Sequence, residues 1–308
     1  MQLMQPVQKK PFTSEHIATW ERDGVVVIEN FFDKSEVVPV FDTFVAMYGD
    51  KGSAKHDDAL LDELRFKKQF EFIDILPYES GIDLNLISLH PQLISFAKAL
   101  LKEEAVHLYQ SHTWAKFTGA TNYDQAFHCD FNNHTLTVPS TQLGFGTVNF
   151  LIYISDVYAD LGAFEYVPRP DSTKILGSRA IQISENYKAR QSELSECAKL
   201  VEAPAGSLIV YGLDVFHRGT NLTRPEGCRY SMTVSYKKSG NDAIGFHVWQ
   251  SKNESNWSLI FEFATPYQLN CLGVPLPGDE FWDKTTITQT LKRWPNWDSE
   301  PYTLAFER

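Results

Sequence analysis

The amino-acid sequence predicts a mainly β fold, an antiparallel barrel or jelly roll with helices packed outside it. Two observations predict it. From about residue 104 the chain breaks into short β-branched and aromatic runs: AVHLYQSHTWAKF, GTVNFLIYISD, AFEYVP, GSLIVYG and RYSMTVSYK, separated by Gly, Pro and Asp. Such runs read as strands of a closed or two-layered β structure. Ahead of them, apolar residues recur at helical spacing between start and stop signals.

In chain order, Ser14 is placed to cap the helix SEHIATWERDG, with Gly24 as its stop. VVVIENFF follows as a strand, and Asp33 caps DKSEVVPVFDTFVAMYG. KGSAKHDDALLDELRFKKQF is charge-rich and reads as an exposed helix. Around residues 51–70 it is positioned to act as a lid, although its charge pattern favours a solvated face. HPQLISFAKALL is a further helix, with Pro91 in its first turn. The tail LPGDEFWDKTTITQTLKRWPNWDSEPY is rich in Pro and Trp and is read with one short helix. No repeat, low-complexity tract or linker divides the chain. One domain over 1–308 is expected: a helical part at about 12–102, a jelly-roll core at about 104–240 and a C-terminal extension at about 241–308.

Composition narrows the function. With 43% hydrophobic residues among 308, the chain can bury a sizeable core. A net charge of −11 argues against a nucleic-acid or anionic-membrane partner, because phosphate binding needs a basic footprint. The four cysteines are widely spaced and form no CxxC, which argues against a disulfide framework or a zinc ribbon. No segment approaches the roughly 20 apolar residues of a membrane span, and the N-terminus has no apolar run of signal-peptide length. A soluble, cytoplasmic protein acting on a small molecule is expected.

The stretch AFHCDFNNHTLTVPS concentrates four possible metal ligands: His128, Cys129, Asp130 and His134. Residues i and i+2 share a face of a strand, so His128 and Asp130 can grip one ion while Cys129 points away. His134 lies about 13 Å further along an extended chain. A second HxD, His56-Asp57-Asp58, sits in the charged helical pattern, where i and i+2 diverge by about 200°. Two histidines and one carboxylate with open positions form the usual site of non-haem Fe(II) oxygenases. The best third ligand is His217, where the strand of GSLIVYGLDVFHRGTNLT runs into a turn. His16, His90 and His107 fall in helical or helix-adjacent segments, while His112 and His247 lie on predicted strands that can line a pocket.

In CRYSMTVSYK, Arg229 and Ser231 are again i and i+2 on a strand. An inward guanidinium needs an anion, and beside a hydroxyl it makes a carboxylate site. Taken singly, each pair reads as structural. The ordered set of HxD, distal His and RxS is much harder to obtain by chance.

That ordered set resembles the phytanoyl-CoA dioxygenase superfamily of Fe(II)- and 2-oxoglutarate-dependent dioxygenases. FTSEHIATWERDGVVVIENFFDKSEV is similar to the family's opening helix and strand, and HPQLISFAKALL to the helix before its barrel. YQSHTWAKFTG resembles the strand leading to the metal motif, and HRGTNLTRPEGCRYSMTVSY the distal histidine and arginine segment. LGAFEYVPRPDS is similar to a glycine- and proline-containing family segment, with Gly162 and Pro168 in place but Arg169-Pro170 where Gly-Ser is usual. The resemblance implies a double-stranded β-helix, a cupin-like jelly roll. It implies iron held by His128, Asp130 and His217, and 2-oxoglutarate held by Arg229 with Ser231. It implies that O2 is consumed and succinate and CO2 released as an unactivated C–H bond is hydroxylated, with desaturation, demethylation or ring chemistry as other outcomes.

The loop after the metal motif places Asn132, Asn133 and His134 at the barrel mouth, which points to a small polar substrate. Gln110-Ser111 resembles a pair in the ectoine hydroxylase branch whose glutamine faces substrate. Trp114 and Phe164 are further pocket candidates, while Arg218 is expected to point away from the metal histidine's face. Two competing functions are a non-catalytic jelly roll that binds a metal or small molecule, and zinc-dependent hydrolysis on the same triad. The Arg229/Ser231 site favours the dioxygenase, because hydrolysis has no use for an anchored keto acid.

Overall fold

A computed structural model of the chain describes residues 12–49, 72–79, 81–119, 124–130, 134, 143–177, 186–241, 257–272 and 274–306. In chain order its elements are α1 (Ser14–Asp23), β1 (Val25–Ile28), α2 (Lys34–Tyr48), α3 (Ile82–Ile87), α4 (Pro91–Leu101), β2 (Val106–Phe117), β3 (Thr147–Tyr153), β4 (Phe164–Tyr166), α5 (Arg169–Leu176), α6 (Asn186–Ala189), α7 (Gln191–Glu196), β5 (Lys199–Val201), β6 (Leu208–Tyr211), β7 (His217–Gly219), β8 (Cys228–Lys238), α8 (Trp257–Phe263), α9 (Pro266–Asn270), α10 (Lys284–Arg293) and α11 (Glu300–Phe306). Among the described residues no helix is long and apolar enough to cross a membrane.

Local chemistry sets the helix ends. Thr13, not Ser14, caps α1: its hydroxyl accepts from the His16 amide, and His16 Nδ1 accepts from the Thr13 amide. Gly24 closes α1 at φ 79°, where an added Cβ would meet Val215 at 2.6 Å. Asp33 and Glu36 form the capping box of α2. His90 caps α4 ahead of Pro91 and also meets Glu36 at 3.0 Å, so it is structural. His107 lies on β2 rather than in a helix, since the strand already starts at Val106. The charged segment at 51–70, with the second HxD, and His247 lie outside the described residues.

The strands form two antiparallel sheets, ordered β1-β6-β3-β8-β2 and β5-β4-β7. This is the jelly-roll layering the short runs predict. Alternation along the central strands separates two faces. Val148, Phe150 and Ile152 of β3 and Tyr230, Met232, Val234 and Tyr236 of β8 join Phe44, Phe96 and Leu100 of the helices in the main core. Leu151 and Tyr153 of β3 point the other way, toward Phe164 and Val201 of the smaller sheet. Arg229, Ser231 and Thr233 of β8 share that inner side and line a cavity. The tail forms two helices, α10 and α11, where one was expected. Asp283 caps α10, and Trp282, Trp297 and Tyr302 cluster beneath them, so aromatic packing stabilises two helices of marginal length.

Candidate active site

His128 and His217 meet across an isolated antiparallel bridge, each amide donating to the other's carbonyl at 3.0 and 2.8 Å. One backbone pairing thus joins segments far apart in sequence. Each imidazole then donates Nδ1–H to a carbonyl two residues back: His128 to Ala126 at 2.8 Å and His217 to Val215 at 3.0 Å. Those bonds select the tautomer that leaves Nε2 bare. Asp130 brings its carboxylate to 3.8 Å from His128 Nε2 and 3.6 Å from His217 Nε2. One ligand atom from each of the three residues lies within 4.8 Å of the other two. Cys129 turns the opposite way, into a cluster with Phe127, Phe145, Val167, Leu213 and Phe216.

Burial pushes the His217 pKa down to about 4, against the attraction of Asp130. Burial alone would raise Asp130, but the surrounding imidazoles, His217 first, pull it below the ordinary carboxylate value. At neutral pH His217 is therefore a neutral imidazole and Asp130 an ionised carboxylate, the states in which these groups bind a divalent cation.

The triad opens into a cavity of about 550 Å³. At one end, Lys116 of β2 stands directly across from Arg229 of β8. Both are buried, and among the described residues neither has a carboxylate within ion-pair distance, although Asp124 attracts Lys116 from further off. Arg229 donates to the Gly162 carbonyl, while its Nε has no acceptor. Gly162 is a required glycine: φ is 73°, and a Cβ would meet Leu222 and the Thr220 carbonyl at 2.7 Å. Burial, then Arg229, depresses the Lys116 pKa well below its ordinary value. A buried guanidinium with no carboxylate in ion-pair contact, and a buried amine beside it, make this end an anion host.

The other side of the cavity is polar and neutral. Gln110 bonds His112 at 2.9 Å, Trp114 Nε1 donates to Thr233 at 3.0 Å, and Tyr109 bonds the buried His134 at 2.8 Å. Burial, then His134, lowers the His112 pKa to about 4.

The cavity brings together His128, Asp130, His217, Arg229, Ser231, Gln110, Trp114, His134 and Phe164, all marked in the sequence. Phe164 lies against the His217 ring, centroids 5.2 Å apart, so it backs a ligand as well as lining the wall. Asn132 and Asn133 fall outside the described residues. Arg218 points away, paired with Glu165 at 2.6 Å and stacked over Phe127. Lys116 and Tyr211 were not anticipated. The signal for Lys116 was present: Gln110, His112, Trp114 and Lys116 are successive i+2 positions on one strand face.

The family model of phytanoyl-CoA dioxygenase matches residues 20–224. No curated protein sequence matches the chain. Among solved structures, the chain is similar to the non-heme α-ketoglutarate-dependent carbocyclase SnoK of nogalamycin biosynthesis. Identity is 17%, coverage 76% of this chain and 87% of that one, and TM-score 0.55. EctD from S. alaskensis, solved with 2-oxoglutarate and 5-hydroxyectoine, shares 17% identity over 77% of this chain and 80% of that one, TM-score 0.54. HygX from Streptomyces hygroscopicus, solved with nickel and 2-oxoglutarate, shares 14% over 74% and 88%, TM-score 0.51. At these identities the likeness establishes the fold.

Proposed function

The chain belongs to the phytanoyl-CoA dioxygenase family of Fe(II)- and 2-oxoglutarate-dependent oxygenases, and on that premise we propose that it hydroxylates an unactivated C–H bond of a small polar metabolite. One observation carries the reading: a single cavity holds a His–Asp–His set at one place and, at another, the buried Arg229 and Lys116 side by side.

The residues fit both iron and 2-oxoglutarate. Two imidazoles and a carboxylate are the donor set of non-haem iron oxygenases. The acceptor-less Arg229 Nε, with Lys116 beside it, suits the far carboxylate of 2-oxoglutarate. When bound, the iron supplies the coupling of oxidative decarboxylation of 2-oxoglutarate by O2 to oxidation of substrate, releasing succinate and CO2.

The protein's own work is binding and orientation. His128, Asp130 and His217 hold the ion, and the Nδ1 bonds keep both rings in register. Arg229, Ser231 and Lys116 orient the keto acid, with the Gly162 carbonyl steadying the guanidinium. Gln110, His112, Trp114, His134 and Thr233 present uncharged donors and acceptors to substrate, which favours a neutral, hydrogen-bonding molecule. SnoK is named a carbocyclase, so ring closure is the second outcome considered for such a site.

The test is succinate formation with Fe(II), 2-oxoglutarate and O2, with and without a metabolite pool. Wild type is expected to form succinate and His128→Ala to form none. A product gaining one oxygen atom identifies hydroxylation, while one losing two hydrogens identifies desaturation or ring closure. Equal, negligible succinate from both proteins across the pool would leave the non-catalytic binding reading in its place.

A further inference from the structure

The backbone around His128 is held from two edges. Toward β7 it pairs with His217, the His128 amide donating to the His217 carbonyl at 3.0 Å and the His217 amide to the His128 carbonyl at 2.8 Å. On the opposite edge no further strand is paired among the described residues. The side chain of Gln191, the first residue of α7, takes that place. Its Oε1 accepts from the Phe127 amide at 2.7 Å, and its Nε2 donates to the Phe127 carbonyl at 3.0 Å. We propose that Gln191 is a positioning residue of the metal site, a side-chain clamp that fixes the backbone from which His128 projects. The inference rests on reading the His–Asp–His set as a metal site.

The peptide joining Phe127 to His128 is the point of leverage. Its carbonyl is bonded to Gln191 and its N–H to the His217 carbonyl. A peptide unit is planar, so bonds to both of its polar groups on opposite edges stop it rocking about the chain. The next peptide is held through the His128 carbonyl by the His217 amide. With both planes beside the His128 Cα fixed, the direction of its Cα–Cβ bond is fixed, and so is the root of the imidazole. Regular strand pairing does not achieve this alone. The ladder already breaks two residues earlier: His128 Nδ1 bonds the Ala126 carbonyl, and it is the Gln125 amide that donates to Gly219. A segment joined to its neighbour by a single bridge needs its second edge held.

The carboxamide works in one orientation only. Its Nε2 donates a second time, to the Tyr187 carbonyl at 3.1 Å, so both of its hydrogens are used. Turned over, it would set Nε2 against the Phe127 amide, donor against donor, and Oε1 against two carbonyls. The second bond anchors the clamp to α6, whose Tyr187 ring lies 6.0 Å from that of Phe216, the residue before His217. Phe127, Cys129, Tyr187, Leu194 and Phe216 belong to one apolar cluster. Helices of four and six residues are too short to persist unaided, so α6 and α7 depend on that cluster. The segments bearing His128 and His217 therefore rest on one two-helix brace, and Gln191 is its hydrogen-bonded grip on the first.

The experiment is anaerobic Co(II) titration of the full chain, read by visible d–d absorption, beside urea unfolding of the metal-free protein. Gln191→Met keeps the side-chain length and removes both bonds to Phe127. It is expected to weaken Co(II) binding about 10-fold and to change the band shape. Gln191→Asn, one methylene too short to reach both groups, is expected to move affinity and spectrum in the same direction. Val40→Ala, in the main core on α2, is the control: it should lower stability while the folded protein keeps wild-type affinity and spectrum. Gln191→Met with the wild-type spectrum and an affinity within twofold of wild type would overturn the clamp, whatever its stability. The same spectral change in Val40→Ala would make the effect a general consequence of lost stability and overturn it equally. Wild-type Co(II) binding that Asp130→Ala does not abolish would overturn the metal site itself. If Gln191→Met fails to fold, Gln191→Asn decides by the same two readings.

Discussion

Replacing Lys116 by methionine is expected to make the ligand-free protein more stable and its 2-oxoglutarate site much weaker. Lys116 and Arg229 are 4% and 7% exposed and are direct partners between β2 and β8. The Cβ atoms of residues so paired stand about 5 Å apart. Two positive charges held at a separation of that order repel by about 3 kcal/mol at an effective dielectric of about 20. Methionine keeps the length and apolar stem and removes the repulsion. At about 2 °C per kcal/mol for a large domain, unfolding should shift up by several degrees. A bound carboxylate reverses the sign, so losing an attraction of similar size should raise the dissociation constant on the order of 100-fold. The pH dependence adds a check. Burial, then Arg229, holds the Lys116 pKa well below 10.5 in the folded state. The penalty is complete below that depressed value and fades as pH rises to 10.5, so wild-type stability climbs across this span and the variant's climbs less. Thermal unfolding of metal-free protein across pH and calorimetric titration with 2-oxoglutarate in Ni(II) measure both arms. A variant less stable than wild type, with unchanged 2-oxoglutarate affinity, would refute the reasoning and make Lys116 a structural cation.

Two further outcomes are expected. Arg169 donates to Asp214 at 2.8 and 3.2 Å and to the carbonyls of Trp20 and Glu21 at the end of α1, so Arg169→Met should cost about 2–4 kcal/mol in urea unfolding. Metal binding by the folded fraction should persist, and unchanged stability would contradict the assignment. His112, lowered to about 4 by burial and then by His134, takes up its proton less readily folded than unfolded, so stability should fall as pH drops from 6.5 to about 4. His112→Gln should flatten part of that slope in the metal-free protein; an unaltered slope would place the acid sensitivity elsewhere.

Much of the site was legible because strand alternation is a local rule. It separates Asp130 from Cys129 and pairs Arg229 with Ser231 without any knowledge of tertiary contacts. What brings His128 to His217 is a backbone bridge between two short segments, and no side-chain pattern announces it. The three-residue strands β5 and β7 were missed as strands because KLV and HRG lack the aromatic residues that mark β4, and three residues have no readable period of their own. Lys116 was passed over because one lysine in an aromatic run looks like an exposed edge until the partner strand places Arg229 opposite it. Arg169, the departure from the family's usual Gly-Ser, looked like a weakness in the resemblance. The structure shows it tying α1 to Asp214 instead, a role requiring contacts from two distant segments.

The pairing of β2 with β8 also accounts for how one cavity can sort two ligands. Their inward residues form successive cross-strand rows: Lys116 with Arg229, Trp114 with Ser231, His112 with Thr233, Gln110 with Ser235. Among these eight side chains the cations occupy a single row, and the other three rows are neutral at pH 7 because burial keeps His112 unprotonated. A dicarboxylate entering the cavity is driven to the charged row by a potential that the neutral rows do not compete with. A neutral substrate gains nothing there and instead finds donors and acceptors in the rows beyond Trp114. Sorting by charge along a strand pair needs no moving part. It also implies that changes in substrate preference can be confined to positions 110, 112, 114, 233 and 235 while Lys116, Arg229 and Ser231 are kept.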